Sequence, residues 1–322
     1  MNHKALFWER IDDDIKCLLC PHYCIIKENK NGRCRKRVNK KGILYAENYG
    51  KSISLNLDPL EKKPLYHFYP GENVLSLGSN SCNLTCKFCQ NFQSSQFDCN
   101  VTYIAPKELL DICLKKSIKH VAFTYTEPFT WYEYVLDCAM LLRENNISVI
   151  LVTNGYINQQ PLENIISYIS AMNIDLKSFS ERFYNEICGG DLQTVLETIK
   201  FSHNKTHLEI TLLLIESLND DIKELNDLFH FIGSLNKNIP FHISRYFPRY
   251  QLNLKETSEK TLFNAVNIAK KYLNYVYVGN LKSEFNNTFC QQCKNILIER
   301  LGYKTNILGI KNGVCVKCNN PF

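Results

Sequence analysis

From residue 73 onward the chain repeats one unit: a short apolar strand, a polar loop, then a helix. Residues 74–78, 120–126, 147–153, 169–176, 207–215, 240–247 and 275–279 read as strands. Helices are expected at 106–117, where Leu109, Leu110, Ile112, Cys113 and Leu114 share a face, and at 131–144, 221–236 and 258–273. Strands that alternate with helices pair in parallel through right-handed crossovers. In barrels built this way, chemistry collects where the loops after the strands converge on one mouth. The unusual polar groups fall there. A Cys triplet follows the first strand, Glu127-Pro128 the second and Asn154-Gly155 the third, while Asp175 and Lys177 end the fourth. The expected fold class is α/β, a partial (β/α)6 barrel rather than a closed eight-stranded one.

The triplet lies in Ser81-Cys82-Asn83-Leu84-Thr85-Cys86-Lys87-Phe88-Cys89-Gln90, a CxxxCxxC spacing. Three thiolates on one short loop hold three irons of a cubane iron–sulfur cluster and leave the fourth without a protein ligand. Four would make an electron-transfer site, whereas three leave a coordination position at which a substrate can meet a metal. A structural zinc knuckle needs a fourth Cys or His nearby, and the loop has none.

The triplet is part of a larger cysteine economy. Fifteen cysteines in 322 residues would suggest disulfides in a secreted chain. The sequence begins Met-Asn-His-Lys-Ala-Leu-Phe-Trp-Glu-Arg, with no apolar signal core behind a basic start, and no run approaches the length of a bilayer span. A cytoplasmic protein with no membrane partner is expected, its clustered cysteines serving as metal ligands. Hydrophobic residues at 45% and aromatics at 12% exclude a disordered chain. The net charge of +6 is concentrated in Lys27, Lys30, Arg33, Arg35, Lys36, Arg37, Lys40 and Lys41. Such a run is a solvated face or steers an anionic partner.

Two small units flank the barrel, giving three expected domains: residues 1–70, 71–284 and 285–322. In the head, Cys17, Cys20, Cys24 and Cys34 supply four thiols for zinc or for an auxiliary cluster, the zinc reading being slightly preferred. His22 lies among them. Residues 43–45 and 53–57 alternate like short strands, and 58–71 read as an irregular connector. In the tail, Cys290 and Cys293 are separated from Cys315 and Cys318 by 21 residues, a zinc-ribbon pattern, with a second auxiliary cluster as the alternative.

The triplet, with Asn83 after its first Cys and Phe88 before its last, resembles the signature of the radical S-adenosylmethionine (radical SAM) superfamily. The resemblance implies a 4Fe-4S cluster on Cys82, Cys86 and Cys89 whose open iron is chelated by S-adenosylmethionine. Reductive cleavage of that cofactor then yields a 5′-deoxyadenosyl radical. Glu127 occupies the place of the Gly-Gly-Glu turn that receives the methionine amino group, with Tyr125 and Thr126 where the glycines would stand. Asp175-Leu-Lys177 resembles the Asp-x-Lys element that lines the cofactor pocket of glycyl-radical-enzyme activases; an ordinary ion pair is the other reading. His242 matches a His on the sixth strand of the same activases. Asn154 is a candidate for the ribose or carboxylate, Arg245 for an anionic substrate, and residues 276–280 for packing near adenine.

Over its whole length the chain resembles the radical SAM member of the AmmeMemoRadiSam system, a family similar to pyruvate formate-lyase activating enzymes. The likeness is carried by the Cys-x-x-Cys-Pro-His-x-x-Cys head, the Asp58-Pro-Leu-Glu-Lys-Lys-Pro-Leu-Tyr-His-Phe-Tyr-Pro-Gly71 stretch, the Cys loop through Asn91, Tyr-Thr-Glu-Pro, residues 173–177, Cys188-Gly-Gly, the His242-Ile-Ser-Arg-Tyr-Phe-Pro stretch, Val-Tyr-Val-Gly-Asn and the Cys-rich tail. It implies Memo-like and AMMECR-like partner proteins, an electron donor such as flavodoxin or ferredoxin, and no settled substrate. The expected activity is that of a radical SAM oxidoreductase abstracting hydrogen from an unidentified substrate, a protein in the activase version. The competing classes are a non-catalytic iron–sulfur or zinc protein binding nucleic acid through its basic head and tail, and transfer of the cofactor's methyl or adenosyl group.

Overall fold

The computed structural model describes residues 3–281 and 284–322. Its centre is an eight-stranded sheet, and the six crossovers expected from the strand–helix alternation carry seven parallel strands. We number them with the edge strand first: β1 (Ser54–Pro59), β2 (Asn73–Gly78), β3 (His120–Phe123), β4 (Ser148–Thr153), β5 (Ala171–Asp175), β6 (His207–Leu214), β7 (Phe241–Arg245) and β8 (Val276–Gly279). Strands β2 to β8 pair in chain order, all parallel. β1 adds to β2 antiparallel, with Leu57 opposite Leu75. The order has two ends, so the barrel is open.

Residues 53–57, expected as a strand of the head, therefore contribute instead to the sheet edge. The connecting helices are α1 (Pro106–Lys115), α2 (Tyr132–Glu144), α3 (Gln159–Ile166), α4 (Leu192–Ser202), α5 (Ile222–Leu235) and α6 (Glu259–Ala269). α3 and α4 were not among the helices expected from periodicity; short polar-rich stretches with Gln and Asn hide their apolar faces, Leu162, Ile165 and Ile166 in α3 and Val195, Leu196 and Ile199 in α4. Strands β2 to β8 are largely buried on both faces, which explains their near-continuous apolar composition. Helices cover the outside in one large core. A separate cluster of Leu60, Leu65, Val74, Ala122, Ile150 and Ala171 closes the barrel's base.

The connector after β1 is thus a plug. Leu60 and Leu65 fill the base, the Asn173 amide donates to the Pro64 carbonyl at 2.7 Å, and Glu209 accepts from the Tyr66 and His67 backbone amides at 2.9 and 2.8 Å. The tail, a three-stranded antiparallel sheet (Thr288–Phe289, Ile296–Leu301, Lys304–Ile307) with a hairpin at Ile310–Lys311 and Val314–Cys315, docks on that plug. Arg300 makes the joint: it is 3% exposed and donates to the Tyr66 carbonyl at 2.6 Å, the Thr288 hydroxyl at 2.8 Å and the Asn286 carbonyl at 3.0 Å. The head packs on α2, where Arg37 pairs with Glu133 in the interior. No helix among the described residues is long and apolar enough to cross a membrane.

Candidate active site

Gly78 ends β2 at a point where a Cβ would lie 2.5 Å from the Thr124 carbonyl, so only glycine lets β2 and the turn after β3 run this close. The chain then enters the Cys loop, which has no regular structure of its own and is pinned from outside. The Asn83 amide donates to the Tyr156 carbonyl at 2.7 Å, and the Gln96 amide to the Leu84 carbonyl at 3.0 Å. The Thr85 and Lys87 amides donate to the carbonyls of Cys188 and Ile187 at 2.8 and 3.0 Å. Cys188-Gly-Gly is explained by this support: Gly189 has φ +76°, and a Cβ there would meet the Thr85 hydroxyl at 2.5 Å.

The loop forms one wall of a cavity of about 730 Å³, a size that suits a small-molecule site. Cys82, Cys86 and Cys89 all line it, and so do Glu127, Asn154, Asp175, Lys177 and His242. These residues come from a loop and the ends of different strands, and the barrel brings all eight to one space. Burial pushes up the thiols of Cys82 and Cys89, while a hydrogen bond from Cys188 lowers that of Cys86. Buried thiols of this kind are stable as thiolates once a metal holds them. Three convergent thiols facing a roomy cavity fit a site-differentiated iron–sulfur cluster with space for a further ligand.

The polar residues are also built into the scaffold. The Glu127 carboxyl accepts from the amides of Asn154 at 2.8 Å and Phe129 at 3.0 Å and from the Thr153 hydroxyl at 2.7 Å. Burial raises it to about 7 against those donors. Asn154 donates to Asn83 Oδ1 at 2.9 Å and lies 3.7 Å from the Cys82 sulfur, so it ties the end of β4 to the loop. Lys177 pairs with Asp175 at 3.1 Å. Burial would lower the Lys177 ammonium, but Asp175, Cys86 and Cys188 hold it well above its ordinary value, and it stays charged beside the Cys loop. Tyr125 takes φ +69°, the backbone a glycine would adopt, and its phenol donates to Asp58 at 2.7 Å under the Lys63 ammonium. The Tyr–Thr sequence before Glu127 is accommodated by that anchor.

His242 lies deeper, against Glu209 at 2.6 Å and stacked on Tyr277. Glu209 was not foreseen, although one carboxylate in an otherwise apolar strand was the available signal. Thr211, Ser244 and Lys63 also line the cavity and were missed, being ordinary residues until the fold assembles them. Val278, Gly279 and Asn280 do line it. Arg245 does not: it turns to the Glu256 carboxylate and the Thr257 carbonyl, both at 2.8 Å, which corrects its assignment to an anionic substrate. Much of the basic run is likewise occupied, Arg37 with Glu133, and Arg35 and Lys36 with Asp98.

Eight of the other twelve cysteines form two sets. In the tail, all four sulfurs lie within 4.8 Å of one another, with Cys290 to Cys318 at 3.5 Å and Cys293 to Cys315 at 3.6 Å. These contacts approach the roughly 3.8 Å tetrahedron edge that zinc–thiolate bonds of about 2.3 Å require. In the head, Cys17, Cys20, Cys24 and Cys34 line a second, smaller cavity together with His22, Arg37 and Asn83.

Residues 77–229 match the profile of the Radical SAM superfamily. An uncharacterized protein of Methanocaldococcus jannaschii is 39% identical over 316 residues, covering 95% of this chain and 94% of its own. Residues 77–229 of the chain are a radical SAM domain. A probable GTP 3′,8-cyclase of Methanococcus vannielii is 20% identical, over 69% of this chain and 80% of its own. Among solved structures, SuiB of Streptococcus suis bound to S-adenosylmethionine superposes with a TM-score of 0.50 at 17% identity, covering 69% of this chain and 53% of that one. The superposition shows a fold shared between this chain and SuiB.

Proposed function

We propose that this radical SAM protein cleaves S-adenosylmethionine reductively and uses the product to take hydrogen from a substrate admitted to the same cavity. The observation that carries the reading is the convergence of Cys82, Cys86 and Cys89 with Glu127, Asn154, Asp175, Lys177 and His242 around about 730 Å³ of space. When bound, a reduced 4Fe-4S cluster supplies the electron that breaks the sulfonium into methionine and a 5′-deoxyadenosyl radical. The residues of the chain bind and orient. Cys82, Cys86 and Cys89 would hold three irons. The Glu127 carboxyl, already accepting three hydrogen bonds, keeps lone-pair capacity for the cofactor's amino group. The Lys177 ammonium offsets the negative charge of the thiolates.

The activase-like version, with a protein substrate, belongs to this proposal on resemblance. So do a flavodoxin or ferredoxin as donor, Memo-like and AMMECR-like partners, and zinc in the tail. The test is anaerobic reconstitution, reduction, and measurement of 5′-deoxyadenosine in wild type and Cys86→Ala. Reductant-dependent product in the wild type and loss of at least a hundredfold in the variant are expected. Equal product from both would sink the reading.

A further inference from the structure

We propose that the head cysteines Cys17, Cys20, Cys24 and Cys34 hold a second cubane iron–sulfur cluster, not zinc, through which electrons enter the Cys82–Cys86–Cys89 centre. The first ground is spacing. Among the described residues, the tail thiols are the one set of three or more ligand atoms all within 4.8 Å of one another. No three of the head sulfurs meet that limit, yet all four line one cavity. A single zinc ion needs its thiolates about 3.8 Å apart, whereas a cubane carries them on four separate irons at the corners of a larger tetrahedron. One chain thus presents a contracted set and an expanded set, and the difference is held by backbone. Cys17 ends a strand, and its amide donates to the Cys24 carbonyl at 3.0 Å. The turn around Cys34 is closed by the Arg35 amide on the Gly32 carbonyl at 2.8 Å.

A second ground is the wall of that cavity. The Arg37 guanidinium is 1% exposed, lines the cavity, and donates to the Cys17 sulfur at 3.4 Å, while its Nε has no partner among the described residues. The Arg33 amide donates to the Cys24 sulfur at 3.4 Å. Glu133 matches the charge of Arg37, so what the wall brings to the cavity is N–H donors aimed at sulfur, and these stabilise the extra negative charge of a reduced cluster.

The third ground is position. The Ser81 hydroxyl donates to the Cys34 carbonyl at 2.8 Å, and Ser81 is bonded directly to Cys82. His22 bonds the Asn83 carbonyl at 2.7 Å, and Asn83 itself lines the head cavity. One hydrogen bond and one peptide unit therefore separate a ligand of each set. The step balances as a one-electron exchange: a low-potential flavodoxin- or ferredoxin-type carrier reduces the head cluster by one electron, which then passes to the triplet's cluster and restores the oxidised head.

The relay rests on the proposed function, whereas the identity of the head metal does not, and the experiment separates them. A Cys82→Ala/Cys86→Ala/Cys89→Ala chain, reconstituted anaerobically, is expected to keep about four irons and one zinc, with a cubane paramagnetic signal on dithionite reduction. Iron-free protein with two zinc ions would overturn the assignment. In Cys20→Ser/Cys24→Ser the triplet's cluster should still form, its signal still shifting on addition of S-adenosylmethionine. Its reduction by reduced flavodoxin is expected to slow at least tenfold. An unchanged rate would remove the relay, and should this variant not fold, the triple variant still decides the metal.

Discussion

Glu209 shows what a single residue does when a fold surrounds it. It is fully buried on β6 and accepts from His207 at 3.0 Å, His242 at 2.6 Å and two amides of the plug. Burial alone would raise its carboxyl, but the hydrogen bonds from His207 and His242 outweigh it and hold the group well below the ordinary value of 4.5. A depressed carboxylate contributes stability above its unfolded value and loses it as the pH falls. We expect Glu209→Gln to cost about 3 kcal/mol at pH 7, since it breaks a buried charged network. The difference from wild type should hold constant above pH 4.5 and shrink below it, as urea unfolding across that range would show. A difference independent of pH would mean that the carboxylate's charge is not what matters. Glu209 was legible only as an oddity, because nothing local says which histidines will reach it.

At the scale of an element, the Cys loop is the informative case. Its ligands were plain from spacing, but its shape is imposed by neighbours distant in sequence, at Thr124, Tyr156 and Cys188. Gly78→Ala tests this: the added Cβ would meet the Thr124 carbonyl at 2.5 Å, a backbone atom that cannot swing aside. A loss of about 1–3 kcal/mol is expected from overpacking. Iron loading at the triplet should fall in step, because Gly78 is four residues before Cys82. Normal loading and unfolding midpoint would show that the two strands can part without consequence. The missed β1 belongs to the same scale: alternation in residues 53–57 was visible, but which sheet they join depends on β2 offering an unpaired edge.

For the whole molecule, the decisive joint is between tail, plug and barrel. The Glu61 carboxylate accepts from the Gly71 amide at 2.8 Å and Thr305 at 2.7 Å, with Arg300 Nε 4.0 Å away; both charged side chains are fully buried. Arg300→Met leaves Glu61 without its cation, and about 3–5 kcal/mol of destabilisation follows from breaking a buried pair. Denaturant unfolding should report it, with earlier proteolysis between 285 and 322. An intact tail of unchanged protease resistance would mean that its contacts other than Arg300 hold it. The same joint explains why the connector is rich in Pro, Lys and aromatic residues: it is interior packing for the barrel base and a seat for the tail.

The sequence by itself determined the strand–helix alternation, the three cysteine sets and the polar residues at strand ends, because periodicity and ligand spacing are local properties. Only the tertiary structure decided which cysteines lie close and which stand apart, that Arg245 faces Glu256 and not the cavity, and that a Glu on β6 binds the plug to His242. Those are distances between segments far apart in the chain, set by packing around a common core.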